Sequence, residues 1–226
     1  MSLRETVTSL FKRFENLKAE FIKEKRELDQ IAQKGIYTAK EIASQRQNFT
    51  DKYVTLGNNL VIDMTGSVKV GIDSDKIKVK LTESEIEKNA PWLSADVITF
   101  SSMNTTYSDE ETFYMIQRYV GDFNTMIRFA KLPSFINSEK KHPVTTEILG
   151  LPYRFRNLET KICEAYSYSL DLIKNYFGNA DTSLAIAVNE KSLMSLIDKF
   201  ELLLEITTKA KKQSFEEIAH IDLSSV

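Results

Sequence analysis

The sequence predicts a mainly α-helical protein: an N-terminal antiparallel coiled-coil helical hairpin, a small β-hairpin element and a C-terminal helical bundle. Large apolar residues recur at alternating spacings of four and three in two runs, Leu3 to Ile31 with a gap at Glu24 and Ile42 to Leu60 with Arg46 in the series, as one face of a helix requires. Ser or Thr followed three positions later by Glu occurs at Ser2/Glu5, Thr38/Glu41, Thr82/Glu85, Ser108/Glu111 and Ser214/Glu217. That pairing satisfies two backbone N–H groups at a helix start. Glycine (7) and proline (4) are scarce in 226 residues, too few for the tight turns of a barrel or sandwich.

The first helix begins after Ser2, with a seam of Leu3, Val7, Leu10, Phe14, Leu17, Phe21, Leu28 and Ile31 that only Glu24 interrupts. A second seam, Ile42, Arg46, Phe49, Tyr53, Leu56 and Leu60, follows Thr38. Gly35 can take the left-handed conformation that ends a helix, and so short a link makes the two arms antiparallel. Folding about that turn sets Ile31 against Ile42, Leu28 against Arg46, Phe21 against Tyr53, Leu17 against Leu56 and Phe14 against Leu60. Glu24 and Arg46 then fall in adjacent layers, where they either pair across the seam or extend to solvent. Phe11, Val61 and Ile62 widen the apolar stripe at the base, so that end is expected to dock on the body. The tip (KEKRE and SQRQN) is polar on all sides but the seam.

From Ser67 the period changes to two. Val68, Val70 and Ile72, then Ile77, Val79 and Leu81, alternate with polar residues around Asp73-Ser74-Asp75, which reads as a β-hairpin with one apolar and one lysine face. The segment 96–100 is the candidate third strand, and Pro91-Trp92 a packed corner. Helices return at about 109–131, 152–177 and 190–212. Their expected buried stripes are Phe113, Ile116, Val120, Phe123 and Ile127; Phe155, Leu158, Ile162, Tyr166 and Ile173; and Leu193, Ile197, Phe200 and Leu204. Gly178 ends the second of these before the turn 179–181, residues 132–150 read as the longest irregular connection, and Leu184 to Val188 as a short strand or the start of the last helix. The expected division is a projecting αα-hairpin (1–66), a small β or irregular element (67–107) and a helical bundle (108–226), with 67–226 one globular unit.

The formal net charge is -2, from Lys+Arg 30 against Asp+Glu 32, so no global field favours nucleic acid or an anionic membrane. A single cysteine, Cys163, rules out an internal disulfide and suits a reducing compartment. With no secretory signal pattern at the N-terminus and no apolar run of membrane-spanning length, the expected location is cytoplasmic, in a host cytoplasm or a virion for a phage-encoded chain. The sequons at Asn48 and Asn104 carry no meaning there.

No residue pattern indicates catalysis. His142 and His220 are expected at the surface, outside any metal-ligand spacing, and Cys163 reads as a buried helix residue with no activating base. Asp73 and Asp75 are explained by turn chemistry, and Asp109-Glu110-Glu111 by a helix N-terminus. No phosphate-binding glycine loop is present. Neither a cofactor nor a metal is expected, although an enzyme whose carboxylates meet only on folding leaves no sequence trace. Two contact surfaces are stronger. Lys69, Lys76, Lys78 and Lys80 on the β-hairpin could follow a phosphate backbone, though a solvated lysine face is the preferred reading. The hairpin tip, with Glu24, Lys25, Arg26 and Arg46, is the candidate protein-binding region. Tyr114, Tyr119, Tyr166 and Tyr168 cannot all face one core, so some add exposed aromatic surface.

The leading expectation is therefore a non-catalytic protein–protein interaction or assembly protein that engages another protein or a second copy of itself. Its Lys, Glu, Ile, Asn and Tyr usage has the texture of small helical proteins from low-GC Gram-positive bacteria and their phages, which suggests virion assembly or host-factor inhibition. The alternatives are a nucleic-acid-binding module and an enzyme.

Overall fold

The computed structural model describes residues 1–81, 91–102, 107–136, 141–178 and 182–221. Every described element is helical: α1 (Leu3–Gln33), α2 (Ala39–Met64), α3 (Ser67–Lys78), α4 (Pro91–Ser102), α5 (Asp109–Ile116), a 3-10 turn (Gln117–Tyr119), α6 (Phe123–Ala130), α7 (Pro133–Ile136), α8 (Pro143–Tyr176), α9 (Ser183–Ala210) and α10 (Phe215–Ala219). The expected Thr82/Glu85 helix start, the turn 179–181, Asn104 and the Trp92 side chain lie outside what is described.

The β-hairpin is absent. Residues 67–78 form a helix and the candidate third strand, 96–100, lies within α4, with no strand among the described residues. The alternating pattern hides a helical one: Val68, Gly71, Ile72, Asp75 and Lys76 are buried, and the spacing 0, 3, 4, 7, 8 is one helix face. Val70 and Ile77, which alternation placed on the apolar face, are 66% and 72% exposed. Gly71 explains the choice. A Cβ there would lie 2.8 Å from the Cα of Leu3, so α3 packs directly on the α1 backbone and tertiary burial overrides local β pattern.

The chain divides into two compact units, Met1–Ile72 with Lys161–Ile197, and Asp73–Thr160 with Asp198–Val226. In the first, α1 and α2 are antiparallel partners. The Ser2/Glu5 and Thr38/Glu41 capping boxes are formed, Gly35 ends the first arm at φ 66°, and Phe21 meets Tyr53 edge-on at 5.2 Å as the seam register requires. Leu3, Val7, Leu10, Phe11, Phe14, Tyr53, Leu60 and Met64 are buried. Phe14 packs edge-on against Tyr176 of α8 at 5.2 Å. Gly57 lets α2 approach α8 closely, for a Cβ would lie 2.7 Å from the Phe177 ring. The buried Tyr166 hydroxyl lies 2.8 Å from Ser67 Oγ and donates to the Met64 carbonyl at 3.1 Å, joining α8 to the α2–α3 junction. Ile62, expected to help dock the base, is 70% exposed instead.

In the second unit, every residue of the stripes expected within 113–127, 155–158 and 200–204 is buried, as are Ile162, Tyr166, Ile173, Leu193 and Ile197 in the first. The expected helix over 109–131 is broken by Gly121, whose φ is 98°, a left-handed conformation that favours glycine. Asp122 then caps α6, accepting from Thr125 N–H at 3.0 Å. Helix α8 starts at Pro143, well before Pro152, because the Asp109 carboxylate accepts from the Val144 and Thr145 N–H groups at 2.8 and 3.0 Å. This satisfies the open end of the helix from another element. Pro152 therefore lies inside a helix, and much of the expected loop over 132–150 is helical.

Candidate functional site

The hairpin formed by α1 and α2 changes character along its length. Below the Phe21–Tyr53 layer Leu3, Val7, Leu10, Phe14 and Leu60 of the seam are buried, while Leu17 is half-buried and Leu56 is 37% exposed; beyond that layer no residue from 22 to 52 is buried. Leu28, Ile42 and Phe49 are half-buried, Ile31 and Tyr37 are exposed, and Ile36 at the turn is 76% exposed. These apolar side chains follow the same spacing as the buried ones, yet none of them is fully buried.

Charge pairs flank the seam. Glu24 accepts two hydrogen bonds from Lys52 at 2.8 Å, and Arg46 reaches Asp29 at 3.1 Å. The anticipated Glu24–Arg46 pair does not form. Arg46 lies opposite Leu28, a turn nearer the tip than Glu24, so each residue takes a closer partner. The Lys52 hydrogen bond holds the Glu24 carboxyl below its ordinary value, because it favours the charged form. The buried Tyr53 hydroxyl faces Glu24 without reaching hydrogen-bond geometry. Burial first, and then the carboxylates of Glu24, Glu20 and Glu27, push that hydroxyl up to about 12.

Two concavities open on the distal seam. One, about 420 Å³, is lined by Phe21, Lys25, Arg46 and Phe49 with Tyr176 and Phe177 from the end of α8. The other, about 500 Å³, has Glu24, Glu27, Ile31 and Lys52 around it. Leu28 and Phe49 line both, so the seam is reached from two sides. Lys25 places its ammonium 5.9 Å from the Phe21 ring centroid, and Arg26 is exposed.

The four lysines of the supposed ribbon do not make one exposed cationic face. Lys76 is buried, 3.0 Å from a Glu159 carboxylate oxygen and 5.4 Å from the Phe123 ring centroid. Lys78 pairs with Asp75 at 2.8 Å, while Lys69 and Lys80 are exposed. Lys80 has the left-handed φ of 55° that closes α3. The Lys211 ammonium, just past the end of α9, donates to the carbonyls of Val79 and Lys80, both at 3.0 Å, and so satisfies the C-terminal end of α3. Burial, with Lys80 and Lys212 nearby, pushes Lys211 below its ordinary value.

His142 is not at the surface: it is buried and its ring lies 6.3 Å from that of Phe135. It precedes Pro143 at the start of α8. Its Nδ1 has no partner among the described residues. His220 is exposed, and Cys163 is half-buried rather than core. Tyr119 and Tyr166 are buried, Tyr114 and Tyr168 exposed. Asp73 and Asp75 lie in α3 rather than in a turn. Among the described residues no group of three or more His, Cys, Asp or Glu could hold a metal ion, and no helix is long and apolar enough to cross a membrane.

Fold and site together define a protein whose described elements are all helical, with an open two-helix seam. Comparison with family models, with curated proteins and with solved structures gives no match.

Proposed function

We propose that this is a non-catalytic interaction or assembly protein whose distal α1–α2 seam engages another protein or a second copy of the chain. One observation carries the reading: the apolar periodicity continues past Phe21 and Tyr53, but burial does not. Apolar side chains left open at regular spacing mark a surface that a partner covers. A third helix laid along Leu28, Ile31, Ile42 and Phe49 would complete the packing that the two arms leave unfinished. The charged rim, Glu24, Lys25, Arg26 and Arg46, would then set orientation and encounter rate more than affinity. Virion assembly and host-factor inhibition are the settings that the composition suggests.

The test uses the full chain with Ile31→Lys, Ile36→Lys and Tyr37→Lys. All three positions are exposed, so circular dichroism and the melting temperature should not change. The wild-type chain is expected to self-associate by light scattering, or to co-purify from its source cells with a defined protein that the triple variant loses. A monomeric wild-type chain that retains no protein, or a variant that retains the same one, contradicts the reading.

A further inference from the structure

We propose that the smaller of the two distal concavities is a binding site for a small amphiphilic anion, a planar apolar group carrying one carboxylate or sulfonate. This goes beyond the contact reading and does not depend on it, because the site lies within one chain and is tested on the purified protein. Its volume, about 420 Å³, falls in the range of small-molecule sites. Its lining divides into two chemistries.

The floor is aromatic. Phe21 and Phe49 stack at 5.0 Å, and Phe21 meets Phe177 edge-on at 5.4 Å and Tyr176 at 6.2 Å. Phe21, Tyr176 and Phe177 are themselves buried, so a further planar group would meet ring edges and the half-buried Phe49, on a floor already fixed by its own packing. The rim is cationic. Lys25 makes no ion pair among the described residues, its one charge contact being the Phe21 ring at 5.9 Å. Arg46 engages Asp29 through one nitrogen at 3.1 Å, which leaves guanidinium donors of its fork for a second acceptor. Asp29 is the one carboxylate in the lining, so the rim carries net charge +1. An anionic head on an apolar ring matches both halves; a neutral ring uses only the floor, and a cation is opposed at the rim. The other concavity has the opposite sign, with Glu24 and Glu27 against Lys52, and serves as an internal contrast.

The probes are naphthalene-2-carboxylate, naphthalene-2-carboxamide and 2-naphthylmethylamine, titrated by calorimetry and by methyl-region NMR into the wild-type chain, Lys25→Glu and Lys12→Glu. Lys25 and Lys12 are both exposed, so folding is preserved, and an unchanged melting temperature verifies it. The carboxylate should bind more tightly than the amide and the amine. Lys25→Glu should weaken the carboxylate about tenfold, Lys12→Glu should leave it unchanged, and added salt should reduce the difference. Equal affinity for the three probes, no binding of the carboxylate, or undiminished binding to Lys25→Glu would each overturn the assignment.

Discussion

The basal and distal halves of the α1–α2 hairpin are built from the same apolar repeat and have opposite fates. In the basal half Phe14 is 1% exposed, closed in by Tyr176 and Phe177; in the distal half Leu28 and Phe49 lie open to two concavities. A repeat therefore states which face of a helix will be apolar, and says nothing about where its cover stops. That is decided by elements far away in the chain, here α3 and α8.

Truncations should separate the halves most sharply. Phe14→Ala empties a closed aromatic site and is expected to cost about 3–5 kcal/mol, whereas Leu28→Ala, already half in solvent, should cost about 1 kcal/mol or less. Urea unfolding of both variants measures the difference, and equal losses would mean that the distal seam is as well covered as the base.

Glycine substitutions sharpen the contrast at a lower magnitude. Gly57→Ala drives a Cβ into the packed Phe177 ring, 2.7 Å away, and should destabilise by about 1–3 kcal/mol despite alanine's better helix propensity. At the tip, Gly35→Ala meets nothing within 4 Å and should cost only the left-handed backbone strain, about 1 kcal/mol. Thermal melts of the two variants give the comparison.

Two carboxylates should respond to acid with opposite sign and smaller effect. Glu190, raised above its ordinary 4.5 by burial and by Glu15 although Lys18 opposes this, binds its proton more readily folded than unfolded. Its charge therefore opposes folding at neutral pH, and that opposition fades as pH falls through the raised value. Glu24 is lowered below 4.5, so its contribution is present above that value and is lost as pH falls through the lowered one. Melting curves between about pH 3 and pH 7 should show Glu190→Gln slightly more stable than wild type only at the upper end. Glu24→Gln should be slightly less stable there, within about 1 kcal/mol for so exposed a pair.

Much of the helical framework was legible. Ser2, Thr38 and Ser108 form capping boxes with Glu5, Glu41 and Glu111, and the Ser214 N–H reaches Glu217 at 3.0 Å. These motifs close within four residues, so sequence contains all of their geometry. The apolar stripes of α8 and α9 were legible for the same reason. What failed depended on distant neighbours. Residues 67–81 alternate like strands, yet a helix forms because Gly71 can sit on the Leu3 backbone, a contact no local pattern announces. Pro152 resembled a helix start, but the N-terminus of α8 is satisfied by Asp109.

The candidate site was half legible. Lys25 and Arg46 stand out in the sequence by their position near a polar tip, whereas Tyr176 and Phe177, which line the same concavity, come from the C-terminal end of α8 and the residue after it. Of the two arrangements the sequence allows for Glu24 and Arg46, pairing across the seam does not occur, because heptad position fixes layers and not side-chain reach; Arg46 is exposed and meets Asp29. The sequence puts Lys76 on a solvated face because lysine is commonly there; it is buried beside Glu159, on another helix.

Whether the distal seam is a contact surface is tested most directly by photocrosslinking. A benzoylphenylalanine placed at Ile31 or Tyr37 of the full chain, and at exposed Lys12 on the basal half as control, would be irradiated in the source cells. A discrete adduct to another polypeptide or to a second copy, formed from Ile31 and Tyr37 but not from Lys12, is the predicted result. No adduct at the distal positions, or the same adducts from Lys12, would contradict it.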